Sequence, residues 1–211
     1  VHKISKSPKK FEIILASLVI GTLYGFKSFG GIVAVGALVV SGLVEVVRER
    51  KQRFVWLVLG TLGVFFPVFF LITNTSSATL AWAPGWLLTE LMVSKDKLNM
   101  PQFADIENYY TSIHNIPGLV KIKGFELLLY TVGNLGVRIT GVILMIGLFL
   151  KRNNPYRFIT NFLLVSFIIA FLIPLLFNLG ANAHNVVQFT PYALLVSAVF
   201  TLATFPFLPA S

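Results

Sequence analysis

The sequence predicts an all-α protein, a polytopic transmembrane helix bundle of about six spans with one further helix in the outer interface. Three observations predict it. Of 211 residues, 56 % are hydrophobic and only 12 % charged, against about 45–50 % and about 25 % in soluble domains. The mean hydropathy is +0.82. Six helices of roughly 20 residues would occupy roughly 120 positions, which matches the hydrophobic share. This arithmetic excludes a soluble enzyme, a disordered chain and a coiled coil. It predicts a single integral membrane domain over 1–211.

Six apolar stretches define the expected spans: 11–26, 30–47, 54–73, 125–150, 157–178 and 188–207. The first two flank a turn at Lys27 and Ser28 and could form one broken helix, but charge parity favours a hairpin. Lys3, Lys6, Lys9 and Lys10 precede the first stretch, and Arg48, Arg50, Lys51 and Arg53 follow the second. A hairpin keeps both clusters on the cytoplasmic face, as membrane proteins prefer. The same alternation places Lys151, Arg152 and Arg157 inside, so that eleven of the 17 basic residues share one face. The N-terminus is then cytoplasmic and 74–124 extracytoplasmic. A signal peptide over 1–26 is disfavoured by immediate continuation into a second span. The net charge of +9 follows from this loop bias, so no nucleic-acid partner is implied. Without cysteines, disulfides and thiol chemistry are excluded. Val1 and Ser211 are read as the ends of an internal piece of a longer protein.

The segment 74–124 is too long for a plain connector. Within LAWAPGWLLTELM, Pro84 is placed to start a helix, and Ala83, Leu87 and Leu91, with Leu88 and Met92, recur at helical spacing. With Trp82 and Trp86 suited to the headgroup level, an interfacial helix over 80–94 is expected. A second, polar helix follows over 103–114, before a break at Pro117 and Gly118.

Arg138 is the residue hardest to explain by packing alone. A guanidinium in the fourth span costs a few kcal/mol and needs a partner or a wet cavity. Asn134, four residues earlier, shares its helical face, and Glu126 extends a polar stripe toward the outer surface. The arrangement suits phosphate or carboxylate binding through bidentate hydrogen bonds; a structural ion pair or a snorkelling side chain would also account for it. Gly133 and Gly136 let a neighbouring backbone approach. His184, Asn185 and Gln188, at the mouth of the last span, can bond sugar hydroxyls or diphosphate oxygens, or simply cap helix ends. Asp96, Asp105 and Glu107 form an acidic group in the outer loop. Asp105 and Glu107 are weak catalytic candidates, as general base or as ligands of a divalent metal ion, although two residues apart on a helix they diverge. Solvated surface charge is the favoured explanation. His114 lacks any metal-ligand spacing. Lys27 can offer a point charge to a lipid phosphate or anchor a helix end. No phosphate-binding, dinucleotide, nucleophile-elbow or zinc motif occurs. Asn74, Thr75 and Ser76 match a glycosylation acceptor, relevant only in a eukaryotic secretory setting.

The segments YGFKSFGGIVAVGALVVSGLVE, AWAPGWLLTELM and ANAHNVVQFTPYALL resemble parts of the GT-C superfamily of polyprenyl-phosphate-dependent glycosyltransferases. The resemblance covers most of the chain. It implies a bacterial cytoplasmic membrane, membrane lipid and a polyprenyl-phosphate sugar donor as partners, and an outward-facing site shaped by interfacial helices. It also implies a catalytic acid in the first outer loop, yet that turn here is GFKSFGG. The acid therefore precedes Val1, or the activity is absent. What carries over is a supporting role: Arg138 as phosphate ligand, with His184, Asn185 and Gln188 near the sugar or diphosphate. A transporter or flippase of lipid-linked or anionic substrates would use the same residues as a path. A non-enzymatic membrane scaffold needs none of them.

Overall fold

The chain begins as a helical hairpin. Helix α1 (Lys10–Phe26) and helix α2 (Ser28–Glu49) are separated by Lys27 alone, and Gly31 lies directly against the backbone of Tyr24. Only a residue without Cβ permits that approach. Helix α3 (Gln52–Thr73) runs parallel to α1, and the register is fixed by small residues. A Cβ on Gly60 would sit 2.7 Å from Ser17 Oγ, and one on Gly21 would sit 2.7 Å from Val64 Cβ. Small residues of this kind let membrane helices pack by backbone approach where hydrophobic driving force is absent.

The computed structural model describes residues 10–49, 52–73, 80–151, 154, 156–179 and 187–204. Its sequence continues with strand β1 (Leu80–Trp82), helix α4 (Trp86–Val93), helix α5 (Gln102–Ser112) and helix α6 (Ile116–Leu135). A 3-10 turn at Gly136–Arg138 leads to helix α7 (Ile139–Leu150). Helix α8 (Arg157–Leu176), strand β2 (Phe177–Leu179) and helix α9 (Thr190–Thr204) complete it. The protein is all-α; among the described residues one antiparallel strand pair is added, in which Ala81 faces Asn178 and Trp82 faces Phe177.

Among the described residues four helical segments are long and apolar enough to cross a membrane: Ser28–Arg48, Gln52–Thr73, Ile116–Leu150 and Arg157–Leu176. The described parts of the first and last expected spans are shorter, at Lys10–Phe26 and Val187–Leu202. Phe26, Val47 and Leu71 are 78–86 % exposed. A water-facing protein rarely carries many such side chains together, and a bilayer solvates them.

The chain divides into two compact units, 1–77 with 145–170 and 78–144 with 171–211. In the first, Val33, Ala37 and Leu38 of α2 are buried, as are Phe54 and Val58 of α3 and Leu164 and Phe167 of α8. The Phe54 and Phe158 rings meet at a tilt of 36°, with centroids 4.8 Å apart. Near the end of α2, buried Glu45 accepts from Arg157 Nε at 3.5 Å and from Asn161 Nδ2 at 3.2 Å. In the second unit, Leu87, Leu88, Tyr130 and Leu175 form the core.

Two segments differ from the sequence expectation. The 80–94 stretch is divided rather than one helix: 80–82 pair as a strand, and Gly85 takes a left-handed φ of 78° before α4. Leu87 and Met92, the apolar stripe, are each 1 % exposed and bury against protein. The helix expected from 125 starts at Ile116, because Pro117 occupies its first turn, where a missing N–H costs nothing, and Asn115 Oδ1 caps it by accepting from Gly118 N at 3.0 Å. Pro117 and Gly118 therefore open a helix rather than break one.

Candidate functional site

The break between α6 and α7 builds the site in the second unit. Gly136 has φ 48° and ψ −124°, a backbone conformation outside the regions allowed to residues with a Cβ. It turns the chain through Gly136–Arg138 and sets Arg138 at the edge of an open groove of about 440 Å³. Gly133, Asn134, Ala198 and Leu202 also line it. Gly133 and Gly136 leave open space where side chains would stand. The far wall is α9, which meets α7 at Gly141, against Ser197 O and Thr201.

Arg138 is half-buried, and none of the ion pairs among the described residues includes it. Asn134 Nδ2 donates to Tyr130 O at 2.8 Å, a bond within its own helix that orients the amide. The groove thus offers one cation, one amide and the Thr201 hydroxyl, which donates to Ser197 O at 2.9 Å, among otherwise apolar walls. Its chemistry suits an anionic head on an apolar chain.

Glu126 does not continue this stripe. Eight residues separate it from Asn134, and at 100° per residue that rotation ends about 80° past two full turns. Glu126 is instead fully buried and accepts from Lys123 Nζ at 3.1 Å. Lys123 also donates to Glu107 Oε2 at 2.9 Å and to Thr89 Oγ1, and Thr89 donates to Glu107 at 3.0 Å. These four side chains tie α4, α5 and α6 together.

The remaining candidates are scattered. Asp105 is exposed on the first turn of α5, while Glu107 faces inward, as their spacing requires. Asp96 is exposed in the turn after α4, and His114 is exposed at the α5–α6 corner with φ 53°. Lys27 is exposed in the α1–α2 link of the other unit. Gln188 is exposed in the 3-10 turn over 187–189 that leads into α9. That turn lies by the Tyr130–Thr190 hydrogen bond of 3.2 Å, and Tyr130 stands on α6 before the Gly136–Arg138 turn. His184, Asn185 and the Asn74–Ser76 acceptor lie outside the described residues. Among the described residues no three His, Asp or Glu side chains gather, and Glu107 is committed to Lys123 and Thr89. Among the described residues, these groups do not form a divalent-metal site.

Sequence reasoning passed over Lys123, Thr89 and the Glu45–Arg157–Asn161 cluster. Lys123 and Glu126 stand three apart, which on a helix is pairing distance, and that was the available signal. Comparison with protein families, with curated proteins and with solved structures finds no match to this chain.

Proposed function

We propose that this chain is the lipid-phosphate-binding part of a GT-C-like glycosyltransferase acting on the outer face of a bacterial cytoplasmic membrane. The observation that carries the reading is Arg138, unpaired among the described residues beside an open groove. A cation that merely balanced a buried acid would have one within reach. In this reading the apolar wall accepts the first isoprenoid units of the donor and Arg138 holds its phosphate. An acceptor hydroxyl attacks the anomeric carbon, the bond to the phosphate oxygen breaks, and the leaving phosphate takes the electron pair. Its developing charge is what a prepositioned guanidinium stabilises most. Asn134, bound back to its helix, presents its amide oxygen toward a sugar or water proton. The acceptor's proton passes to a base that the family resemblance assigns to another segment.

The test is Arg138→Ala in the full-length protein, with binding of a radiolabelled polyprenyl phosphate as readout. Loss of hydrogen bonds to a charged group corresponds to about 1.5–3 kcal/mol, so affinity should fall roughly 10- to 150-fold. Arg138→Lys should recover part of it, since charge remains but the bidentate fork does not. Unchanged affinity in Arg138→Ala would remove the anion site.

A further inference from the structure

The first unit carries a second, larger groove, which shares no lining residue with the groove at Arg138. It has a volume of about 770 Å³ and lies between α1 and α3. Its floor is the close contact of Ser17 with Gly60, where the absence of a side chain on α3 hollows the surface. Ile14 and Leu59, each more than half exposed, form apolar banks. At one end stand Trp56 and the ammonium of Lys10.

Charge is confined to that end. The parallel register that sets Ser17 against Gly60 brings Lys10, seven residues earlier, level with Arg53 on α3. The first-turn acid, Glu12, does not line the groove. An apolar trough with a cation at its mouth matches one class of molecule, an amphiphile with an acyl chain and a negative head. Beside a helix long enough to span, the abundant amphiphile of that kind is an anionic glycerophospholipid.

We infer that the α1–α3 groove is a binding site for an anionic phospholipid, its acyl chain over Ser17 and Gly60 and its phosphate on Lys10. The indole of Trp56, at the headgroup level, closes the side of the site. The inference rests on the first unit alone and does not depend on Arg138.

Trp56 makes the site readable. The full chain is reconstituted in vesicles of phosphatidylcholine containing either brominated phosphatidylglycerol or brominated phosphatidylcholine at equal mole fraction. Fluorescence quenching is measured for the protein and for Trp56→Phe, and the difference isolates Trp56 from Trp82 and Trp86. Phosphatidylglycerol is expected to quench Trp56 at about fivefold lower mole fraction, the ratio one lysine near an anionic surface supplies. Lys10→Glu changes an exposed residue at a helix start, so folding is retained, and the preference should vanish. Arg138→Ala should leave it intact, which separates this site from the donor groove. Equal quenching by the two lipids would overturn the inference, because the groove then holds ordinary boundary lipid. So would a preference that survives Lys10→Glu, which is diffuse attraction by the basic segments.

Discussion

At Lys123 a single ammonium serves three acceptors, the carboxylates of Glu107 and Glu126 and the hydroxyl of Thr89. Glu126 is fully buried, and its second oxygen has no partner among the described residues. Removing one member of a buried pair strands the other, a change that costs about 3–5 kcal/mol when both are deep. Lys123 is 27 % exposed, so Lys123→Met should cost less, roughly 2–3 kcal/mol after solvent screening. It should lower the apparent melting temperature in detergent, followed by circular dichroism. The double variant Lys123→Met, Glu126→Met replaces the ions with apolar groups of similar size and should regain most of that loss. If the double variant is no more stable than Lys123→Met alone, the pair is not the source of the effect. The same residue logic explains what was legible here. Arg138 stood out because a lone cation inside an apolar run is costly and needs a partner, a wet cavity or a route to the interface. Lys123 did not, because in a loop a lysine is ordinary, and only the start of α6 at Ile116 places it beside Glu126.

Among the elements, the helices were legible and the joints were not. Apolar runs mark helices because the membrane solvates any apolar face, and the all-α class follows from run length alone. The strand pair at 80–82 and 177–179 joins segments almost a hundred residues apart, and no local pattern encodes such a partner. Its environment reveals it only in three dimensions: Trp86 Nε1 donates to Phe177 O at 2.6 Å, and the Trp82 and Phe177 rings meet edge to face at 5.1 Å. The joint of α7 with α9 is of the same kind. Gly141 lies so close to Ser197 O and Thr201 that a side chain there must push α9 away. Gly147, six residues along the same helix, meets nothing within 4 Å. Gly141→Leu should therefore destabilise by about 3 kcal/mol, the upper end of overpacking penalties. Gly147→Leu should leave melting unchanged. Equal melting of the two variants would show that α9 does not rest on Gly141. Because α9 walls the groove at Arg138, Gly141→Leu should also weaken the proposed lipid-phosphate binding, although Gly141 itself does not line the groove.

For the whole molecule the open question is sidedness, and the argument turns on α1. At 17 residues it reaches about 26 Å, short of the roughly 30 Å hydrocarbon core, and a helix that lay flat would reverse the parity of everything after it. Its packing argues against lying flat. Ser17 donates to Leu57 O at 3.4 Å, Gly21 meets Val64, and Gly25 meets Val68 and Ile72. The contact runs nearly the full length of α1 along α3, a helix that is long enough to cross. If α3 crosses, α1 crosses beside it, and α2 returns between them. The topology expected from the sequence then puts the turn after α4 outside and, after one further crossing by Ile116–Leu150, Lys151 inside. The chain has no cysteine, so single cysteines report without background. Lys97 and Lys151 are both exposed. Lys97→Cys should react with an impermeant maleimide in intact cells, and Lys151→Cys only after the membrane is opened. The opposite pattern would mean that α1 does not cross, and would place the turn carrying Lys97 on the cytoplasmic side. Labelling of both positions in intact cells would mean that Ile116–Leu150 does not span. Either result would remove the outer-face assignment on which a lipid-linked donor at Arg138 depends.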